Sequence, residues 1–120
     1  MNPSSYSQEQ QRIYRIDKFI VSEPARAEFL ERVKHTHELL RILPGFIEDS
    51  ILEKMDGPGD FNLVTIVVWW DAEAIAAAKE AVTARHQETG FDPRETFDRL
   101  GVQADLVNYR QIDAWKYSNV

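Results

Sequence analysis

Residues 61–70 (FNLVTIVVWW) constrain this chain more than any other stretch. Side chains of a strand point alternately to its two faces. The odd positions are Phe61, Leu63, Thr65, Val67 and Trp69, and the even ones are Asn62, Val64, Ile66, Val68 and Trp70, so both sets are mostly apolar. A strand of this kind needs cover on both sides. The segment 12–21 (RIYRIDKFIV) is a second candidate strand, dense in β-branched and aromatic residues, with Tyr14, Ile16 and Ile20 on one face and Phe19 and Val21 on the other. The helices of a small domain cover one face. The other face would leave several large apolar side chains in water, at about 1.5–3 kcal/mol each, and a patch of that kind marks an interface or a ligand groove. A homodimer with its two sheets face to face is the expected solution. A monomer whose own tail folds over the face is the alternative.

The remaining elements follow from punctuation and period. Ser22-Glu23-Pro24 reads as a helix start, and Phe29, Leu30, Val33, His37, Leu40 and Leu43 recur at helical spacing up to Pro44-Gly45. Glu28 and Arg32 stand one turn apart in the favourable order for an ion pair. Residues 46–55 form a predicted strand, joined by the turn residues 56–60 (DGPGD) to the strand 61–70. Asp71 is a predicted N-cap for a helix closed by Gly90, and Asp92-Pro93-Arg94-Glu95 opens a short third helix ending near Gly101. Residues 104–113 (ADLVNYRQID) read as the last strand. The predicted order is β-α-β-β-α-(α)-β, a ferredoxin-like α+β fold with an antiparallel sheet, spanning 12–113. Residues 1–11 are polar and read as a flexible N-terminal tail, and 114–120, carrying Trp115 and Tyr117, as a C-terminal tail.

Composition narrows the function. With no cysteine among 120 residues, disulfides, thiolate metal sites and cysteine nucleophiles are excluded. A net charge of -6 without any basic run disfavours nucleic acid. Thr65 breaks an apolar run far too short to cross a membrane, and Met1-Asn2-Pro3-Ser4-Ser5 lacks the regions of a signal peptide, so no membrane partner and a cytoplasmic location are expected. No HExxH, P-loop or GxGxxG pattern occurs, which leaves zinc and nucleotide sites without a basis.

Three features together resemble the antibiotic biosynthesis monooxygenase branch of the dimeric α/β-barrel proteins. They are Leu43, Pro44, Gly45 and Phe46 between the first helix and second strand, the strand Leu63 to Trp69, and Trp69-Trp70-Asp71 where the family often has Trp-Glu-Ser. The resemblance covers roughly 12–113. It implies a ferredoxin-like subunit, a homodimer, and a cavity against the sheet that takes a small hydrophobic or aromatic ligand. Some members are cofactor-independent monooxygenases of phenolic compounds and others degrade haem. The pattern of the anthrone-oxidising members is an Asn, a Trp four residues later and a Tyr six after that. Here Trp69 matches, and Thr65 and Ile75 occupy the other two positions. The haem-degrading members carry an Asn on the first strand and a Trp and a His on the second helix. Here the aligned positions fall on Asp17, near Ala78 and near Glu88, with His86 out of register, which disfavours haem degradation.

The leading expectation is thus a cofactor-independent monooxygenase-like enzyme for a small quinol- or anthrone-like compound, with no resident cofactor and no metal. Its rivals are a non-catalytic barrel that binds a small hydrophobic ligand and, further off, a haem-binding relative. Asp17 is the first candidate base, because burial in an apolar cavity raises a carboxyl pKa. It is otherwise a strand aspartate paired with Arg15 or Lys18 or facing solvent. Trp69 either stacks on an aromatic ring or packs in the core. Thr65, on the same face, is a candidate hydrogen-bond donor to a substrate oxygen. His37 either lines the cavity as a base or is a hydrogen-bonded histidine at its rim. His35 and His86 are expected in solvent, and Glu48, Asp49 and Glu53 on a solvated strand face.

Overall fold

Strand β1 (Ile13–Ile20) runs through the interior of the sheet, between β3 (Leu63–Trp69) and β4 (Gln103–Arg110), and β2 (Phe46–Glu53) completes the order β2-β3-β1-β4. All three pairings are antiparallel. The computed structural model describes residues 8–117. A one-turn helix, α1 (Gln8–Gln11), occupies the end of the expected N-terminal tail, and a 3-10 turn (Ala114–Tyr117) the start of the C-terminal one. The rest of both tails, 1–7 and 118–120, lies outside the described residues. Three long helices, α2 (Glu23–Leu40), α3 (Ala72–Thr89) and α4 (Pro93–Leu100), complete the predicted ferredoxin-like α+β order.

The caps act as the sequence suggests. The Asp71 carboxylate accepts a bond from the Ala74 N–H at 2.9 Å, and that of Asp92 accepts from the N–H groups of Arg94 and Glu95. The strand predicted at 61–70 is assigned from Leu63, although the Asn62 backbone still donates to the Phe19 carbonyl and accepts from the Lys54 N–H, each at 2.9 Å, and its side chain bonds the next residue beyond β1. Its side-chain oxygen accepts from the Val21 N–H at 2.9 Å and its amide nitrogen donates to the Val21 carbonyl at 2.7 Å. The side chain thus replaces sheet bonds just beyond the end of β1.

All three long helices pack on the face that carries Phe19, Leu63, Val67 and Trp69. The opposite face has no such cover among the described residues. Ile16, Ile20, Val64, Ile66 and Val107 remain partly accessible there, Leu52 and Tyr109 are 49% and 43% exposed, and Val68 alone is buried. The oily second face predicted from the alternation is therefore present.

Gly45 explains the Leu-Pro-Gly-Phe segment. Its φ of 84° lies in the left-handed region, its carbonyl accepts from the Trp70 N–H at 2.8 Å, and a Cβ there would fall 2.4 Å from the Ala74 Cβ. The turn thus lets the end of α2 and the start of α3 approach across the strand ends. Gly45→Ala combines left-handed strain, about 1–2 kcal/mol, with overpacking, about 1–3 kcal/mol. Urea denaturation should show a loss of about 3 kcal/mol. A loss below about 1 kcal/mol would mean the helix simply shifts away.

Candidate functional site

The core on the helix side is split in two. At one end Phe19 meets Phe29 and Phe97 edge to face and the latter two are tilted to each other, with ring centroids 4.9–6.1 Å apart, around Leu63 and Val102. At the other end Trp69 packs against Phe46 (5.9 Å, interplanar angle 85°), Val67 and Ala78. Between them the sheet face turns polar. Asp17 and Thr65 are direct cross-strand partners, and Arg15 sits two residues from Asp17 on the same face, paired across β4 with Asn108.

A cavity of about 440 Å³ opens over this seam. Its floor is Arg15, Asp17, Thr65, Val67, Trp69 and Asn108. One wall is α2, through Thr36, His37 and Leu40, and the other is α3, through Ile75, Ala78, Lys79, Val82 and His86. The α3 wall includes the small side chains of Ala76, Ala78 and Thr83, which leave room above the floor. All four residues singled out from the sequence, Asp17, Thr65, Trp69 and His37, thus line one chamber.

The electrostatics are uneven. Burial pushes the Asp17 carboxyl above the ordinary aspartate range, against the opposing pull of Arg15, whose Nε donates to Oδ1 at 2.6 Å. Both alternatives weighed for Asp17 therefore hold at once: it lines the cavity and it is paired with Arg15. His37 is 6% exposed and its Nδ1 lies 3.0 Å from Asp49 Oδ2. Since a carboxylate only accepts, Nδ1 carries the proton shared with Asp49 and Nε2 is the nitrogen left free of that bond. Arg41, one turn on from His37, clasps the same carboxylate through Nε at 2.9 Å and Nη2 at 3.1 Å. Burial raises the Asp49 carboxyl, but the bonds from Arg41 and His37 outweigh it and hold it below the usual range.

Two expectations need correction. Asp49 is not on a solvated face, since its side chain is 8% exposed beneath His37 and Arg41. A bulge between Phe46 and Glu48 shifts the alternation of β2 and turns Asp49 towards the helices. His86 is not in solvent either. It follows Ala78 and Val82 at four-residue steps along the cavity side of α3, lies edge-on to Phe91 (5.0 Å), and burial lowers its pKa, with the Arg32 charge adding to the effect. His35 is exposed as expected, beside Glu31 and Glu38. Glu28 does not pair with Arg32; both of its carboxylate oxygens take bonds from Arg99 instead.

Sequence reasoning missed Arg15 and Asn108 as floor residues, and Lys79 and His86 on the α3 wall. The alternating four- and three-residue spacing of Ile75, Lys79, Val82 and His86 was available as a signal for α3, whereas nothing in β4 distinguishes Asn108 from its neighbours. Of the residues near the positions that the resemblance aligns with the haem-degrading set, Ala78 is a small buried wall residue, and Glu88 is exposed and pairs with Arg85 at 3.8 Å. No group of three or more metal-ligating side chains is found among the described residues. No helix there is long and apolar enough to cross a membrane.

Residues 12–90 match the family described as antibiotic biosynthesis monooxygenase. Among curated proteins, none matches the sequence. Several solved structures share the fold. The cofactor-independent oxygenase SnoaB from Streptomyces nogalater superposes with a TM-score of 0.63 at 22% identity, over 86% of this chain and 95% of its own. The haem degrader MhuD from Mycobacterium tuberculosis, with two haems bound in its active site, gives 0.62 at 19% identity, over 84% and 96%. A conserved protein from Methanosarcina mazei gives 0.62 at 18%, over 88% and 97%.

Proposed function

Because the chain belongs to the antibiotic biosynthesis monooxygenase family, we propose that its helix-side cavity oxygenates a small, electron-rich aromatic compound, an anthrone or hydroquinone, without a resident cofactor. The observation that carries this reading is a carboxyl with a raised pKa, Asp17, set beside Thr65 and Trp69 on the floor of a chamber with mixed polar and apolar lining. Such a substrate supplies its own electrons once it is deprotonated. The protein need only bind it, keep water away, take a proton and donate to the developing oxyanion.

For an anthrone the balance is simple. Asp17 removes a proton from the ring methylene, and the carbanion adds dioxygen to give a peroxide at that carbon. The peroxide O–O bond breaks as the second methylene hydrogen leaves as a proton. One oxygen becomes the new carbonyl and the other departs as water. The ring carbon is oxidised by four electrons and dioxygen is reduced by four, so no further reductant enters. Trp69 offers a face for the aromatic ring. Thr65 and Arg15 are donors within reach of the same floor, and His37, with its tautomer fixed by Asp49, is a second proton acceptor on the α2 wall.

The working unit in this proposal is a homodimer joined through the uncovered sheet face. The test is oxygen uptake by the purified protein with a panel of anthrones and hydroquinones. Uptake above the spontaneous rate is the expected result. Absence of uptake, with thermal stabilisation by the same compounds, would instead identify a ligand-binding barrel. A Soret band on adding haem would revive the haem-binding alternative.

A further inference from the structure

A second groove of about 220 Å³ abuts the chamber between α2 and α3, and the two share Thr36, Val82 and His86. Arg32 and Arg85 flank it, His35, Thr36 and Thr89 add polar groups, and no carboxylate lines it. On a chain with a net charge of -6, that concentration of donors is local and unlike the background. Arg32 is also held in place. Its guanidinium carbon lies 3.9 Å from the centroid of the Phe91 ring, and Glu28, the acidic side chain one turn away, is occupied by Arg99. Arg85 is 3.8 Å from Glu88 at the outer edge, a long and exposed contact that a bound anion can displace. Lys79 adds a further cation on the α3 wall of the main chamber.

We infer that this groove receives an anionic substituent, a carboxylate, so that the protein prefers an aromatic acid over the corresponding neutral compound. The inference rests on the reading of the main chamber as the place where the aromatic ring sits. Arginine suits the task because its planar fork pairs with both oxygens of a carboxylate. The hydroxyl of Thr36 and the ring of His86 supply additional donors without adding negative charge, whereas the Thr89 hydroxyl is spent on the Arg85 carbonyl at 3.0 Å. Such a groove would orient the ring as well as attract it, since the anion anchors one end while the electron-rich carbon lies over the floor.

A matched pair of probes tests this: 1,4-dihydroxy-2-naphthoate and its methyl ester, which differ in the charge and one methyl group. Binding is read from quenching of tryptophan fluorescence, and reaction from oxygen uptake. The acid should bind at least about tenfold tighter than the ester at low salt, and the preference should shrink as salt rises. The double variant Arg32→Gln/Arg85→Gln should erase the preference while leaving ester affinity unchanged. Arg32→Lys/Arg85→Lys, which keeps both charges, should retain part of it. Equal affinity for the two probes, failure to bind the acid, or a preference indifferent to the glutamine variant would overturn the inference. The two readings separate cleanly. An arginine-dependent preference without oxygen uptake leaves the groove standing and removes the oxygenase. Uptake with both probes at equal affinity does the reverse.

Discussion

Asp17→Asn should lower the rate of oxygen uptake with an anthrone or hydroquinone by a factor of about 100 to 10,000, the range in which a positioned general base contributes. Asparagine keeps the shape and still offers an oxygen to the Arg15 Nε, but it cannot take a proton. The fold should survive the change. A carboxyl whose folded-state pKa lies above its unfolded value contributes stability below the unfolded pKa and loses it as pH rises through the folded one, so ionised Asp17 is a burden on the fold at neutral pH. Removing that charge should leave stability at pH 7 within about 1 kcal/mol of the parent. In the parent, kcat/KM should rise with pH through a limb lying above the ordinary aspartate range, and that limb should vanish in the variant. Full activity in Asp17→Asn, or an acid limb untouched by it, would remove Asp17 from the chemistry and leave His37 and His86 as the candidate acceptors in the chamber.

The second large effect is on assembly. Ile66 lies on β3, in register with Ile16 of β1, on the face that no long helix covers. Ile66→Asp would place a carboxylate at the centre of the proposed dimer interface, and twofold symmetry would place it there twice. An unpaired charge buried at an interface costs several kcal/mol, far more than a surface substitution. Sedimentation at micromolar concentration should therefore find the parent at twice its 13.9 kDa chain mass and the variant at the mass of one chain. The helix-side core does not touch position 66, so the isolated variant should keep its secondary structure. A parent that already sediments as one chain would contradict the dimer. A variant that stays paired would place the interface elsewhere.

The fold was readable because period and punctuation agreed. The double-sided strand around Val67, the cap at Asp71 and the Gly45 turn each pointed to the same arrangement. The chamber was readable only in part. Asp17 stood out as the one acid in a strand of apolar and basic residues, and Thr65 as a hydroxyl in an apolar one, but that the two face each other is a matter of register, which depends on how strands from distant parts of the chain align. Asp49 was misjudged because a single-residue bulge inverts the faces of β2, and alternation cannot reveal a bulge. His86 was misjudged because it was weighed alone, rather than as a member of the stripe with Ala78 and Val82. The partnership of Glu28 with Arg99 rather than Arg32 is tertiary, since α4 brings its arginine to α2 across a long stretch of chain.

Labelled dioxygen gives the most direct test of the central proposal, that the substrate alone drives the reduction of dioxygen inside this chamber. The flavin-free, chelator-treated protein would be supplied with an anthrone under oxygen-18 gas, and the product analysed by mass spectrometry. The expected result is one labelled atom in the new carbonyl and the other in water, without accumulation of hydrogen peroxide. An unlabelled product, or peroxide formed in step with oxygen consumed, would contradict it.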